Sequence, residues 1–268
     1  VKDTFKDFEK QGWAQAWEDY DLLFTNLTSQ TFEPMLKAVG VVPGKKLLDI
    51  AMGGGHLVNA AAKLGASATG VDFCESMVKR AKELYPQCTF VVGDAEALSF
   101  EDQSFDAVTN SFGLLHLGNP EAALRESRRV LRPGGRFAFA VWATPDVALG
   151  FPIALSAVER YGDKEIALPP GPPFFRFSDA SVSLKALSDA GFEETTSEML
   201  PLVWQLKDAD DLFQAFVRGT ARTGALLRAQ TPEALSAIRK EMSEQVAKKF
   251  GSGNGFCIPM PAMMFTGQ

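Results

Sequence analysis

The chain has 268 residues, enough for one large domain or for a domain with a cap. Its formal net charge of −6, with no basic run beyond a pair, argues against a DNA or RNA partner, because phosphate contacts need clustered Lys and Arg. Cys74, Cys88 and Cys257 are widely spaced, with no CxxC and no His at metal spacing, which argues against a zinc site and a disulfide framework.

No apolar run approaches the ~20 residues that a membrane span needs. The sequence opens at Val1 rather than Met, which reads as a trimmed or processed chain, and Val1-Lys2-Asp3-Thr4 is polar, without the apolar core of a signal peptide. Unpaired, scattered thiols suit a reducing compartment, so a cytoplasmic location is expected.

Residues 1–40 read as helices. Phe5, Phe8 and Trp13, then Trp17, Tyr20, Leu23 and Phe24, recur at roughly helical spacing, and Pro34 suits the first turn of a helix ending near Gly40. From 45 to 142 strands and helices alternate, as in a parallel α/β sheet. The expected strands are 46–50, 67–71, 88–92, 105–110 and 136–142, and the expected helices 55–64, 75–85 and 120–131. Pro133-Gly134-Gly135 reads as a tight turn before the last of these strands.

After Ala143 the pattern changes. A helix-like stretch, Val147 to Tyr161, precedes a stiff loop, Leu168-Pro169-Pro170-Gly171-Pro172-Pro173-Phe174-Phe175, of the kind that makes lids or substrate walls. Residues 179–191 look helical, 193–206 look like one strand, and 208–249 look helical, with a fresh start at Thr231-Pro232-Glu233. The tail from Phe256 to Phe265 suits a last strand, although Pro259 and Pro261 leave its register open.

The most informative segment is Lys46-Leu47-Leu48-Asp49-Ile50-Ala51-Met52-Gly53-Gly54-Gly55-His56. It reads as a strand, a glycine turn and a helix start. Glycines let backbone approach a ligand closely, and the helix start offers N–H groups to an anionic or carboxylate-bearing ligand. Two more acids close apolar runs: Asp72 after Ala68-Thr69-Gly70-Val71, and Asp94 after Phe90-Val91-Val92-Gly93. Spacings of 23 and 22 residues between Asp49, Asp72 and Asp94 fit successive strand–helix units, whose strand ends line one crevice. An acid at the second strand end suits both hydroxyls of a ribose, the role assigned to Asp72. The dinucleotide fingerprint GxGxxG needs a third Gly or Ala where this chain has Val58. Tyr161 and Lys164 also lack the Tyr-x-x-x-Lys spacing of an oxidoreductase.

The pattern Asp49-x-Ala51-x-Gly53-x-Gly55 resembles the first motif of class I S-adenosylmethionine (SAM) methyltransferases. Four further blocks keep the resemblance in order: Gly70-Val71-Asp72-Phe73; Gly93-Asp94-Ala95-Glu96-Ala97-Leu98; Ser104-Phe105-Asp106-Ala107-Val108 with Leu115-His116-Leu117; and Val130-Leu131-Arg132-Pro133-Gly134-Gly135. The whole is similar to the small-molecule group that includes the ubiquinone and menaquinone C-methyltransferases, with Ala51 in place of the commoner Gly. The resemblance implies an α/β fold. It would be a Rossmann-like, seven-stranded, mostly parallel sheet with helices on both faces, ending in an antiparallel strand beside the fifth and carrying helical N-terminal and inserted cap elements. The implied organisation is a helical N-terminal lid over 1–40, a SAM-binding core over 41–143, a lid or substrate insertion over 144–178, and the end of the sheet with a helical cap over 179–268.

SAM is the implied cofactor and S-adenosylhomocysteine (SAH) the implied product. Asp49, Ala51, Gly53, Gly55 and Asp72 are the expected contacts on the first two strand ends. By resemblance Asp94 lies at the adenine amino group and Ala95 offers its N–H to the ring. Phe73 and Met77 either wall the adenine or pack the core. Asn110 and Ser111 fall where the family's backbone carbonyls meet the methionine amino group, and Tyr20 resembles an N-terminal Tyr that closes over the cofactor. His116 is either a general base toward the acceptor or a pin for its loop. His56, at the helix start, reads as an ordinary residue more readily than as a contact.

A sulfonium methyl is already activated, so alignment and water exclusion do most of the work and the acceptor chemistry stays open. The expected reaction is methyl transfer to O, N or C of a small, apolar or aromatic molecule. The Pro-Pro-aromatic tetrapeptide of relatives that methylate adenine, cytosine or glutamine nitrogen is absent after the fourth strand, where Asn110-Ser111-Phe112-Gly113 stands. A non-catalytic SAM-binding protein and an NAD(P)-dependent oxidoreductase are the alternatives, and a homodimer is one option for assembly.

Overall fold

The structure, a computed structural model, describes residues 4–253 and 255–268; Val1, Lys2 and Asp3, read above as a polar start, lie outside the described residues. The elements in chain order begin with α1 (Thr4–Thr28), α2 (Phe32–Ala38), β1 (Lys46–Ile50), α3 (His56–Lys63), β2 (Ser67–Asp72), α4 (Glu75–Leu84) and β3 (Thr89–Val92). β4 (Phe105–Ser111), α5 (Pro120–Val130), β5 (Leu131–Trp142), α6 (Gly150–Tyr161), α7 (Ala180–Asp189), β6 (Thr196–Leu200) and β7 (Val203–Leu206) follow. The chain closes with α8 (Asp211–Gly219), α9 (Arg222–Arg228), α10 (Pro232–Phe250), β8 (Gly251–Ser252), β9 (Gly255–Pro259) and β10 (Ala262–Gly267). None of the described helices is long and apolar enough to cross a membrane.

The fold divides into two compact units. One takes Thr28–Trp142, Gly171–Leu200 and Ala262–Gln268; the other takes the chain up to Leu27, Ala143–Pro170 and Pro201–Pro261.

The first unit is built on a seven-stranded sheet in the order β3-β2-β1-β4-β5-β10-β6. β1 pairs in parallel with β2 and β4, while β10 runs antiparallel between β5 and β6, as the resemblance implied for the last strand. Strand steps run one way from β1 to β3 and the other way from β4 to β5. Right-handed crossovers therefore put α3 and α4 on one face and α5 on the other. Leu47, Leu48 and Ile50 of β1 are buried completely, as a strand covered on both faces requires. α3 buries Leu57, Val58 and Ala61 at i, i+1 and i+4 against the sheet. α5 starts on an Asn119 side-chain cap with Pro120 in its first turn. Phe139 stacks on Phe265 across β5 and β10, Phe137 lies beside it on β5, and all three are fully buried; burying each such ring stabilises the fold by about 1.5–3 kcal/mol.

The second unit carries α6, α8, α9 and α10, most of α1, and a three-stranded antiparallel sheet in the order β7-β9-β8. Trp204 and Phe216 centre its core, with Phe24 4.6 Å from the Trp204 ring and Tyr20 stacked on Phe24 at 5.1 Å. The buried Trp204 indole donates its N–H to the Leu23 carbonyl at 3.2 Å.

Three expectations are corrected. The strand expected over 193–206 breaks at Pro201-Leu202 into β6 and β7, which belong to different sheets, because Pro201 has no N–H for a ladder. The helical stretch expected over 208–249 restarts at Pro232, as Thr231-Pro232 signalled, but has one further break, between α8 and α9 at Thr220-Ala221. β5 begins at Leu131 rather than at 136: the Pro133-Gly134-Gly135 segment is an irregularity inside the strand, where the pairing with β4 shifts register.

Candidate active site

The sheet order reverses between β1 and β4, and the crevice at such a reversal, outside the strand carboxyl ends, is where open α/β sheets take ligands. Hydrogen bonds sew the two strand ends together there. Thr109 donates its hydroxyl to Asp49 Oδ1 at 2.7 Å, and Asn110 donates its side-chain amide to the Ile50 carbonyl at 2.9 Å. The Asn110 carbonyl oxygen in turn accepts the Leu114 N–H at 2.8 Å, so this fully buried side chain braces the turn after β4.

After β1 the chain turns sharply. Ala51 (φ 50°), Gly53 (φ 56°) and Gly55 (φ 78°) all sit in the left-handed region. Gly55 caps α3, and a Cβ there would stand 2.8 Å from Phe90 Cε1 and 3.0 Å from Ala81 Cβ. A Cβ on Gly53 would meet nothing within 4 Å. Gly55 is therefore required by packing from below, while Gly53 leaves the upper side of the turn open to a visitor.

Asp72, the last residue of β2, is buried and reaches the same turn. Its Oδ2 accepts the Gly53 N–H at 2.9 Å and its Oδ1 the Cys74 N–H at 2.8 Å. Burial pushes the Asp72 carboxyl up to about 6, against the pull of these amides. Asp49 lies deeper: burial pushes it up to about 7, offset in part by the Thr109 hydroxyl and reinforced by the charge of Asp72.

Beyond β3, Gly93 donates its N–H to the Asp72 carbonyl at 2.9 Å, which brings the third strand end beside the second. Asp94 opens a tight turn by accepting the Glu96 N–H at 2.9 Å, and Ala95 and Met77 are buried while Phe73 is half-buried. Ser111 shares a hydrogen bond with Thr31 (3.1 Å). His116 ends a short 3-10 turn, Leu114–His116, with its ring edge-on to Phe174 at 5.8 Å. The Phe174 segment is held to the same unit by the Arg176–Glu121 ion pair and by Ser178, which donates to the Trp142 carbonyl at 2.7 Å.

The structure thus holds Asp49, Ala51, Gly53, Gly55, Asp72, Phe73, Asp94, Ala95, Asn110 and Ser111 in one unit at or just after its strand ends, with Met77 in the first turn of α4 and His116 in the short turn after β4. Tyr20 belongs to the other unit, where Trp13 meets its ring edge-on at 5.1 Å. His56 shares a 2.6 Å hydrogen bond with the Tyr85 hydroxyl. Sequence reasoning missed Thr109, whose hydroxyl is indistinguishable from any strand Thr until β1 and β4 are paired. It also missed Arg129, which donates to the Leu98 and Phe100 carbonyls at 2.9 and 2.8 Å from within α5.

Residues 48–139 match a family model described as a methyltransferase domain. Together with the glycine turn, the three strand-end acids and the sheet order, this makes the segment a class I SAM-dependent methyltransferase domain, and SAM is the cofactor that such a domain takes. The chain is similar to the demethylmenaquinone methyltransferase of Renibacterium salmoninarum, 41% identical over 125 residues that cover 47% of this chain and 53% of that protein. The chain spans about half the length of the curated relatives it matches. Among solved structures, the fold is shared with the YcgJ protein of Bacillus subtilis (TM-score 0.59, 21% identity, covering 89% of this chain and 97% of that one). It is shared as well with the phosphoethanolamine N-methyltransferase 2 of Haemonchus contortus, solved with phosphomonomethylethanolamine and SAH (TM-score 0.60, 18% identity, covering 100% and 60%).

Proposed function

We propose that the whole chain transfers a methyl group from SAM to O, N or C of a small, apolar or aromatic molecule and releases SAH. Gly53 carries this proposal: its open upper side and its amide, anchored on the buried Asp72, make a backbone cradle that a side chain would fill. SAM supplies a methyl carbon made electrophilic by the sulfonium charge. The chain's residues bind and orient. Asp72 accepts ribose hydroxyls, Asp94 and Ala95 meet the adenine edge, and Phe73 and Met77 pack against its ring. The backbone at Asn110 and Ser111 takes the methionine amino group. Asp49 and Asp72, buried carboxylates of raised pKa, favour a cationic visitor, which returns them to the charged form. His116, beside Phe174, is the residue we assign as a base for an acceptor proton, the alternative being a pin for its loop.

The match to the methyltransferase model covers the donor half, so the acceptor is not carried over from the relatives. The lid over 1–40 and Tyr20 as a cofactor contact are taken from the resemblance, and the insertion over 144–178 is supported as well by its stiff, aromatic 168–175 loop. We read the partner as a small molecule rather than a nucleic acid on the net charge of −6 and the sequence after β4. The wide spacing of the three Cys residues keeps a cytoplasmic setting in the proposal.

Calorimetric titration with SAM, SAH and NADH side by side tests the donor. Micromolar binding of both sulfur nucleotides with none of NADH is expected; NADH alone would overturn it. Transfer of label from methyl-labelled SAM to a panel of phenols, quinols and amines then tests turnover, and binding without transfer to any of them would favour a non-catalytic SAM protein.

A further inference from the structure

The loop that follows Asp94 turns on its own Glu96 and Ala97 N–H bonds to Asp94, at 2.9 and 3.1 Å, and is then fastened at several atoms to α5. Leu98 donates its N–H to Glu126 Oε2 at 2.7 Å, and its carbonyl accepts from Arg129 at 2.9 Å. Arg129 reaches on to the Phe100 carbonyl at 2.8 Å and to Asp102 at 2.7 Å. The two α5 side chains, one turn apart, are themselves locked by paired 2.7 Å hydrogen bonds between guanidinium and carboxylate. A further tie lies nearer Asp94: Asn119, the cap of α5, donates its N–H to Glu96 Oε1 at 2.9 Å, and Glu96 closes the turn on Asp94. Arg129 holds Glu126 below the usual carboxylate range, as a planar, bidentate and half-buried pair does.

This amount of fixing is more than an exposed surface loop needs. Both polar backbone groups of Leu98 are satisfied by one ion pair, so the chain that leaves the Asp94–Ala97 turn is fixed in its path to Phe100 by α5. Asp94 and Ala95 sit at the start of that path. Resting on the cofactor reading above, we infer that Arg129 and Glu126 are positioning residues for base recognition: they hold the Asp94–Leu98 turn so that the Asp94 carboxylate and the Ala95 N–H meet the amino edge of adenine together. Neither residue touches the base. Their effect is on which base is accepted, because a carboxylate held in place accepts from an amino group and repels a carbonyl, whereas a loose one adapts to either.

The test compares SAH with S-inosylhomocysteine, which carries a carbonyl in place of the adenine amino group, by calorimetric titration of the full chain. The unchanged protein prefers SAH by about 10- to 100-fold, the value of a buried polar group left unpaired. Arg129→Met is expected to reduce that preference to about threefold or less. Glu126→Gln, which keeps an acceptor for Leu98 but loses the charge, gives an intermediate ratio and serves if Arg129→Met does not fold. A merely structural role would weaken both ligands equally, so an unchanged ratio in either folded variant overturns the inference. Failure of the unchanged protein to bind SAH overturns the cofactor reading and this inference with it. Binding of SAH without preference over the inosine form overturns this inference alone.

Discussion

The Gly53 backbone N–H donates to Asp72 Oδ2 at 2.9 Å, so the glycine turn after β1 and the acid that ends β2 form one object. The acid orients the turn, and the turn's amide fixes one carboxylate oxygen. Asp72→Ala removes both the brace and the proposed ribose acceptor. We expect SAM affinity to fall by at least about tenfold, the cost of a lost charged hydrogen bond. Unchanged affinity in a titration of the folded variant would remove Asp72 from the site.

Gly55→Ala and Gly53→Ala separate packing from binding. At Gly55 the new methyl meets Phe90 and Ala81 on a backbone of φ 78°, so a loss of roughly 2 kcal/mol or more in chemical denaturation is expected. At Gly53 only the strain of φ 56° applies, about 1 kcal/mol, while SAM binding suffers more because the methyl projects into open space. Equal stability losses with equal affinities would contradict the assignment.

Ala51 occupies the left-handed region at φ 50° without being glycine. Ala51→Gly relieves that strain, at the cost of a more flexible unfolded chain and of the methyl's own packing. The net expectation is a gain of about 0.5 kcal/mol, read as a higher denaturant midpoint with an unchanged slope. A loss of stability would mean that the methyl packs better than the geometry indicates.

The pH dependence follows from the two buried acids. Asp49 and Asp72, raised to about 7 and about 6 from an ordinary 3.8, hold protons in the folded chain that the unfolded chain has released. Their contribution to stability is therefore full below about pH 4 and is lost as pH rises toward about 7. A cationic ligand that donates hydroxyl hydrogen bonds favours the ionised acids. SAM binding should release protons near pH 6 and weaken as pH falls from about 7 to 5. Calorimetry in two buffers of different ionisation enthalpy counts those protons, and zero release would detach both acids from the ligand.

His116 and Phe174 meet edge-to-face at 5.8 Å beyond the end of β4, where we propose that the acceptor binds. His116→Ala is expected to cut methyl transfer by about 100-fold, the lower range for a general base, with SAM affinity within about twofold. Wild-type turnover across the pH range would leave the residue as a support for its loop. Phe174→Leu should raise the acceptor KM and leave SAM binding alone.

The donor side of the fold was legible because each of its signals is local. Asp49 to Gly55 is a strand end, turn and helix start within seven residues, and Asp72 and Asp94 each close a single apolar run. Backbone sterics and period-two burial act over such distances, so five strands of the sheet were placed within a few residues, apart from the early start of β5. The assignment of β10 beside β5 came from the resemblance, because Pro259-Met260-Pro261 gives no register of its own.

The rest depended on partners far along the chain. Asp49 with Thr109 and Asn110 with Ile50 each span 60 residues, and Arg129 with Leu98 spans 31. The division of 193–206 between two sheets depends on whether β10 or β9 lies alongside. Residue types and spacing determined a strand, a glycine turn and a helix start with acids at three strand ends, in the pattern of a methyltransferase domain. Tertiary structure alone decided which side chains brace that turn and how far burial raises those acids, because hydrogen-bond satisfaction and desolvation are properties of neighbours in space.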